Sequence, residues 1–181
     1  MFPPTSNSAS VWPGYADWGG RTGRDHTLAL ELWARGILET MVLAAVIDDP
    51  KQVTRAQMER WVRLCDHWGH PDALCFTLFD RTPFAEEKAH VWSKRRAEFV
   101  KRSCFALMAG MAVHRKELPD SVFLRCLPVI RRESTDERNF VRKAVNWTLR
   151  RAAIAEARRI VKIDSKAARW IARDALRELE K

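Results

Sequence analysis

The stretch 120–150, DSVFLRCLPVIRRESTDERNFVRKAVNWTLR, decides the fold. Pro119-Asp120 opens a segment in which Val122, Phe123, Cys126, Leu127 and Ile130 recur at the three-to-four-residue step of one helix face. Pro128 lies inside it and predicts a kink. Ser134 to Glu137 reads as a capping box. Phe140, Val141, Ala144, Val145 and Leu149 then resume the helical step. The stretch is a helical hairpin, and each of its helices has one apolar face to bury.

The same pattern extends in both directions. Leu28, Leu30, Leu32 and Trp33 mark a helix that stops near Gly36. Ile37, Leu38, Met41, Val42, Ala45 and Val46 mark the next, ended by Asp49-Pro50. Thr54 to Gln57 is a second capping box, opening a helix through Trp61 and Leu64. Gly69 and Pro71 break the chain, and Pro71 fits the first turn of a helix carrying Leu74, Cys75, Leu78 and Phe79. Thr82-Pro83 caps another, with Phe84, Lys88 and Trp92. A long helix over about 96–113 turns Phe99, Val100, Cys104, Leu107, Met108 and Met111 inward, and a last one begins at Ser165. Strand patterning is nearly absent. Loose recurrence every ~35–45 residues favours helical-hairpin repeats stacked as an array over a compact bundle.

Residues 1–24 differ from the rest. Pro3, Pro4, Pro13, Gly14, Gly19, Gly20 and Gly23 stand among Ser, Asn and Thr, so an irregular leader is predicted, with Trp12 and Trp18 docking it onto a helical domain over 25–181. No run approaches the ~18 apolar residues of a membrane span, and the N-terminus lacks the basic-then-apolar pattern of a signal peptide. A cytoplasmic, nucleoid-associated monomer is expected.

Lys and Arg number 32 against 23 Asp and Glu, a net charge of +9 over 181 residues. A surplus of that size favours a polyanionic partner. The basic residues cluster at Lys94, Arg95, Arg96, Lys101 and Arg102, then at Arg131, Arg132, Arg138, Arg142, Lys143, Arg150, Arg151, Arg158 and Arg159. Stacked hairpins would align them on one concave face, where they neutralise phosphates. Interspersed Glu133, Asp136, Glu137 and Glu156 fit the alternative of solvated helix faces. Cys65, Cys75, Cys104 and Cys126 lie in apolar patterns and read as reduced, buried thiols. Cys65, His67, His70 and Cys75 match no ligand-pair spacing, so no metal is assigned. Of eight Trp residues, Trp33, Trp61, Trp92 and Trp170 sit on apolar stripes and are predicted core. Trp68, at a helix break, and Trp147, on a basic helix, are open between core and surface contact.

From about His26 onward the chain resembles the bacterial DNA alkylation repair proteins of the AlkD type, HEAT-like-repeat alkylpurine DNA glycosylases. The resemblance rests on LALELWARGILE, LAAVIDDPKQVT, QMERWVRLCDHWGHPD, CFTLFDRTPFAEEKAHVWS, AEFVKRSCFALMAG, DERNFVRKAVNWTLR and ARWIARDALREL, in family order. It implies an all-α fold of HEAT-like hairpins stacked into a short curved α-solenoid with a basic concave face. The family's functional set of two Trp, one Asp and one Arg is matched by Trp68 and Asp72 in HWGHPD, Arg102 in FVKR, and Trp147 in NWTLR.

The implied activity is hydrolysis of the N-glycosidic bond of purines alkylated at ring nitrogen three or seven, in double-stranded DNA, without base flipping or cofactor. Such a base is cationic and leaves readily. Asp72 would stabilise the oxocarbenium-like sugar and orient water. Trp68 and Trp147 would pack on the lesion's sugar and backbone, and Arg102 would hold a phosphate. Lys101, Arg138, Arg142, Lys143 and Arg150 are the further DNA contacts expected from the basic face. A non-catalytic helical-repeat DNA-binding or protein-scaffold protein is the alternative.

Two departures from the family pattern motivate that alternative. The leader stands where the family has another helical pair. The segment TLRRAAIAEARRIVKID contains no Gly, Pro or Asn at the family's usual turn. Either one helix runs from about 136 to 162, or a tight turn lies near Arg151.

Overall fold

The computed structural model describes residues 23–179, save the side chain of Asp120; the leader, with Trp12 and Trp18, lies outside the described residues. Among those described there are nine α-helices and no strand: α1 His26–Ala34, α2 Leu38–Ile47, α3 Arg55–Arg63, α4 Gly69–Thr77, α5 Ala85–Ser93, α6 Glu98–His114, α7 Asp120–Glu133, α8 Asn139–Ile160 and α9 Lys166–Leu179. A 3₁₀ turn, Phe79–Arg81, follows α4.

The helices are paired in sequence, and alternate members pack on one another. α1 packs on α2, α5 on α6 and α7 on α8, while α2, α4, α6 and α8 form a continuous row that α9 extends. This is the layering of a helical-hairpin stack, in which each pair buries its apolar face against the next.

Local chemistry sets the boundaries. The Asp25 carboxylate accepts from Leu28 N and caps α1, and the Thr54 hydroxyl accepts from Gln57 N at the start of α3. Gly36, at φ +68°, ends the first helix in the left-handed region, and its N–H donates to Trp33 O. Ser165 Oγ accepts from Ala168 N and caps α9.

An aromatic spine fills the core. Trp33 stacks on Trp61 at 4.0 Å between centroids, and Phe79 lies 6.3 Å from Trp61 and 6.2 Å from Trp92. Glu59 accepts from Trp92 Nε1 and Lys88 Nζ at 2.9 and 2.8 Å, which satisfies the Trp92 indole, whereas the buried Trp33 Nε1 has no hydrogen-bond partner among the described residues. All four cysteines are buried and unpaired.

Four expectations are corrected or decided. Ser134 does not open a capping box: it ends α7, its hydroxyl donating to Arg131 O. The first turn of α8 is instead capped from another helix, because Phe140 N donates to Glu98 Oε1 of α6 at 3.2 Å. Thr82 is not a helix cap either; its hydroxyl closes the 3₁₀ turn onto Phe79 O, and α5 starts three residues later. The turnless segment is one unbroken helix, since Asn139–Ile160 contains no residue that breaks it. Finally, Trp170 is not core. It is 68 % exposed, because the face of α9 that packs on α8 is built from Ala168, Ala172, Ala175, Leu176 and Leu179.

Candidate functional site

Trp68, Asp72 and Phe76 follow one another at four-residue spacing, so they lie along one face of α4. Trp68 is the residue before the first helical position, and Asp72 sits in the first turn, where the helix dipole favours a carboxylate. That face looks across the row toward α6 and α8.

Arg102 comes from α6 to meet it. Its Nε and one terminal nitrogen donate to the two oxygens of Asp72 at 3.0 and 2.7 Å, and the other terminal nitrogen donates to Phe140 O at 2.9 Å. One guanidinium thus ties α4, α6 and α8 together. It is 3 % exposed, whereas the Asp72 side chain keeps 16 %. Burial pushes the Asp72 carboxyl above its ordinary value, and the Arg102 charge opposes that shift. The carboxylate is the open partner of the pair and the guanidinium the closed one.

Trp147 comes from α8, the next helix in the row. Its indole stacks on Phe76 at 4.6 Å and 17° between planes, leaving it half-buried at the edge of the core. Trp68 is half-buried too, with the His67 ring at 5.3 Å. α4 therefore carries Trp68 beside the carboxylate and, on the other side, the Phe76 ring on which Trp147 rests.

The expected phosphate contact at Arg102 is not what the geometry provides. Its fork is filled by Asp72 and Phe140, so it positions the carboxylate instead. Lys101 is likewise engaged: 14 % exposed, it bonds Glu133 and lies 3.4 Å from Asp136. Arg138 donates to both Asp136 oxygens and to Arg96 O. These contacts hold the Asp136 carboxyl far below the usual range.

Arg142, Lys143 and Arg150 are exposed on α8. Lys143 and Arg150 share the Trp147 flank, four before and three after it, while the ~100° step of a helix puts Arg142 on the opposite flank. Arg150 also donates to Leu179 O, tying the end of α9 to α8.

Phe76 was missed by sequence reasoning, although its spacing from Trp68 and Asp72 was readable. Glu98, Glu133 and Asp136 were missed as partners because nothing local marks a contact made across 32 to 42 residues.

The model of a family described as DNA alkylation repair enzyme matches residues 15–179. No curated protein matches the chain. One solved structure aligns with a TM-score of 0.69 at 17 % identity, over 96 % of this chain and 69 % of its own. It comes from a group described as related to the HEAT-like repeat DNA glycosylases with affinity for branched DNA structures. At that identity the likeness establishes a shared HEAT-like fold.

Proposed function

The chain belongs to the DNA alkylation repair enzyme family, and we propose that within it this protein hydrolyses the N-glycosidic bond of cationic 3- or 7-alkylpurines in duplex DNA. The observation that carries the reading is the Asp72 carboxylate, gripped by a buried Arg102 and itself 16 % exposed, on the helix face that also carries Trp68 and the Phe76 ring on which Trp147 rests.

The chemistry follows from that arrangement. As the bond from C1′ to N9 of the alkylated purine breaks, its electron pair passes to the base and neutralises the ring cation, and positive charge develops on the sugar. A fixed, low-dielectric carboxylate stabilises that charge without reorganising. Water then adds to C1′ and gives up one proton to the surrounding solvent. Asp72 must be ionised to serve; burial pushes its carboxyl up, and the Arg102 fork opposes that shift by favouring the charged form. Trp68 and Trp147 offer apolar, electron-rich ring faces to the sugar and the cationic base. Arg102 acts as a positioning residue. Lys143 and Arg150, flanking Trp147, take the adjoining phosphates.

A cavity of about 290 Å³ is lined by His90, Val91, Lys94 and Arg95, none of them among the residues gathered around the carboxylate.

A second reading is favoured by one feature: both Asp72 oxygens already accept from Arg102. In that reading the pair is a structural clamp, and the protein binds DNA without cleaving it. Release of free 7-methylguanine from methylated duplex, and its loss in Asp72→Asn, separates the two.

A further inference from the structure

α9 carries a side chain that its packing does not explain. Lys166, Trp170, Arg173 and Arg177 fall at positions i, i+4, i+7 and i+11, one line along a helix. That line lies opposite Ala168, Ala172, Ala175 and Leu179, which face α8. Trp170 therefore points outward from the middle of a basic row, and Ile171 beside it is 53 % exposed.

The row keeps surplus charge. Arg169 pairs with Asp164 and Arg177 with Asp174, but Lys166 and Arg173 have no ion-pair partner among the described residues. Four cations thus stand against two carboxylates around one indole.

We propose that this face of α9 is a contact site for an unpaired DNA strand, with Trp170 stacking on an exposed base and Lys166 and Arg173 holding the flanking phosphates. The chemistry selects the ligand. Bases inside a duplex are already stacked on both faces, whereas a single-stranded tail or a junction arm offers a free π-face to an aromatic side chain. A basic row with an interposed aromatic is the arrangement that tracks such a strand. A second copy of the chain is disfavoured, because two such faces would oppose like charges over one Trp and one Ile. A stable interface needs ~800 Å² from each partner.

The inference rests on the DNA-binding part of the proposed function and extends it to a second DNA element, on the helix that follows the one bearing Trp147. It gives the protein a means to engage DNA where a duplex is interrupted.

The test compares affinities by fluorescence anisotropy for a blunt duplex and for the same duplex with a ten-nucleotide thymidine tail, using full-length protein. Wild type binds the tailed form more tightly. Trp170→Ala, at an exposed position, lowers that preference by ~5- to 150-fold, the range of one lost stacking contact. Trp170→Phe retains most of it, and Arg173→Ala lowers it together with the salt dependence.

Equal affinity of wild type for the two DNAs, or a Trp170→Ala loss shared equally by both, overturns the proposal. A change in oligomeric state on Trp170→Ala also overturns it, in favour of self-association. Intact tail preference without base release would defeat the glycosylase reading alone, and base release without tail preference would defeat this one alone.

Discussion

Arg102 faces Asp72 as a two-pronged donor, 3.0 Å from one carboxylate oxygen and 2.7 Å from the other, and the same guanidinium reaches Phe140 O on a third helix. Three consecutive members of the inner row are joined at one residue, and the carboxylate that the chemistry needs is the more exposed end of the join. Function and packing are coupled there. Asp72→Asn replaces one acceptor oxygen with a donor and leaves an N–H of buried Arg102 unmatched, at a cost of ~1–3 kcal/mol. Thermal unfolding should fall by a few degrees and stay cooperative.

Arg102→Ala is the harsher change. It leaves Asp72 without its counter-charge and should cost ~3–5 kcal/mol. Arg102→Lys should restore charge without the fork, recovering part of the stability and little of the positioning. A clamp with no catalytic part predicts base release at the spontaneous rate in wild type and in both variants.

The acidity of Asp72 sets a pH dependence. Burial raises its carboxyl above the ordinary ~3.9 of an Asp, so it takes up a proton at higher pH than a solvated one. Only the ionised form stabilises the sugar cation. Base release should therefore fall on acidification along a limb centred above ~3.9, read from single-turnover rates across the acid range. A rate independent of pH there would remove Asp72 from the chemistry.

The Phe76–Trp147 stack predicts an energetic coupling between α4 and α8. Phe76→Ala and Trp147→Ala should each destabilise the fold, and the double-mutant cycle should give ~0.5–1.5 kcal/mol of interaction. Phe76→Ala should also lower base release, since it removes the surface against which the Trp147 ring is held. Additive losses would show that the two rings do not act as a unit.

Gly110 approaches a buried side chain closely. A Cβ built there would meet Asp80 Oδ2 at 2.9 Å and its Cβ at 3.0 Å, and Asp80, in the 3₁₀ turn, is fully buried. Gly110→Ala should destabilise by ~1–3 kcal/mol despite its better helix propensity, measured by denaturant unfolding.

Much of this was legible in sequence. Trp33, Trp61 and Trp92 on apolar stripes predicted the core spine, and Thr54 predicted the start of α3, because both signals are local. The segment after Trp147 was ambiguous by pattern and proved continuous. Ser134 misled because its hydroxyl, free to bond in either direction, closed the helix behind it rather than opening the one ahead. Trp170 misled for a different reason. An amphipathic pattern names the apolar residues of a helix, but small alanines can form the packed face and leave a Trp outside. The site residues were readable as types at spacings. The burial of Arg102 and the engagement of Lys101 were not, since each depends on acidic partners brought from distant helices.

The most direct test is the single-turnover release of 7-methylguanine from a site-specifically methylated duplex, at low salt and saturating protein, for wild type and Asp72→Asn below the variant's unfolding temperature. Release well above spontaneous depurination is expected for wild type, with a loss of ~100-fold or more in the variant and duplex affinity nearly unchanged. Wild-type release no faster than the spontaneous rate, or equal release by both proteins, would contradict that expectation.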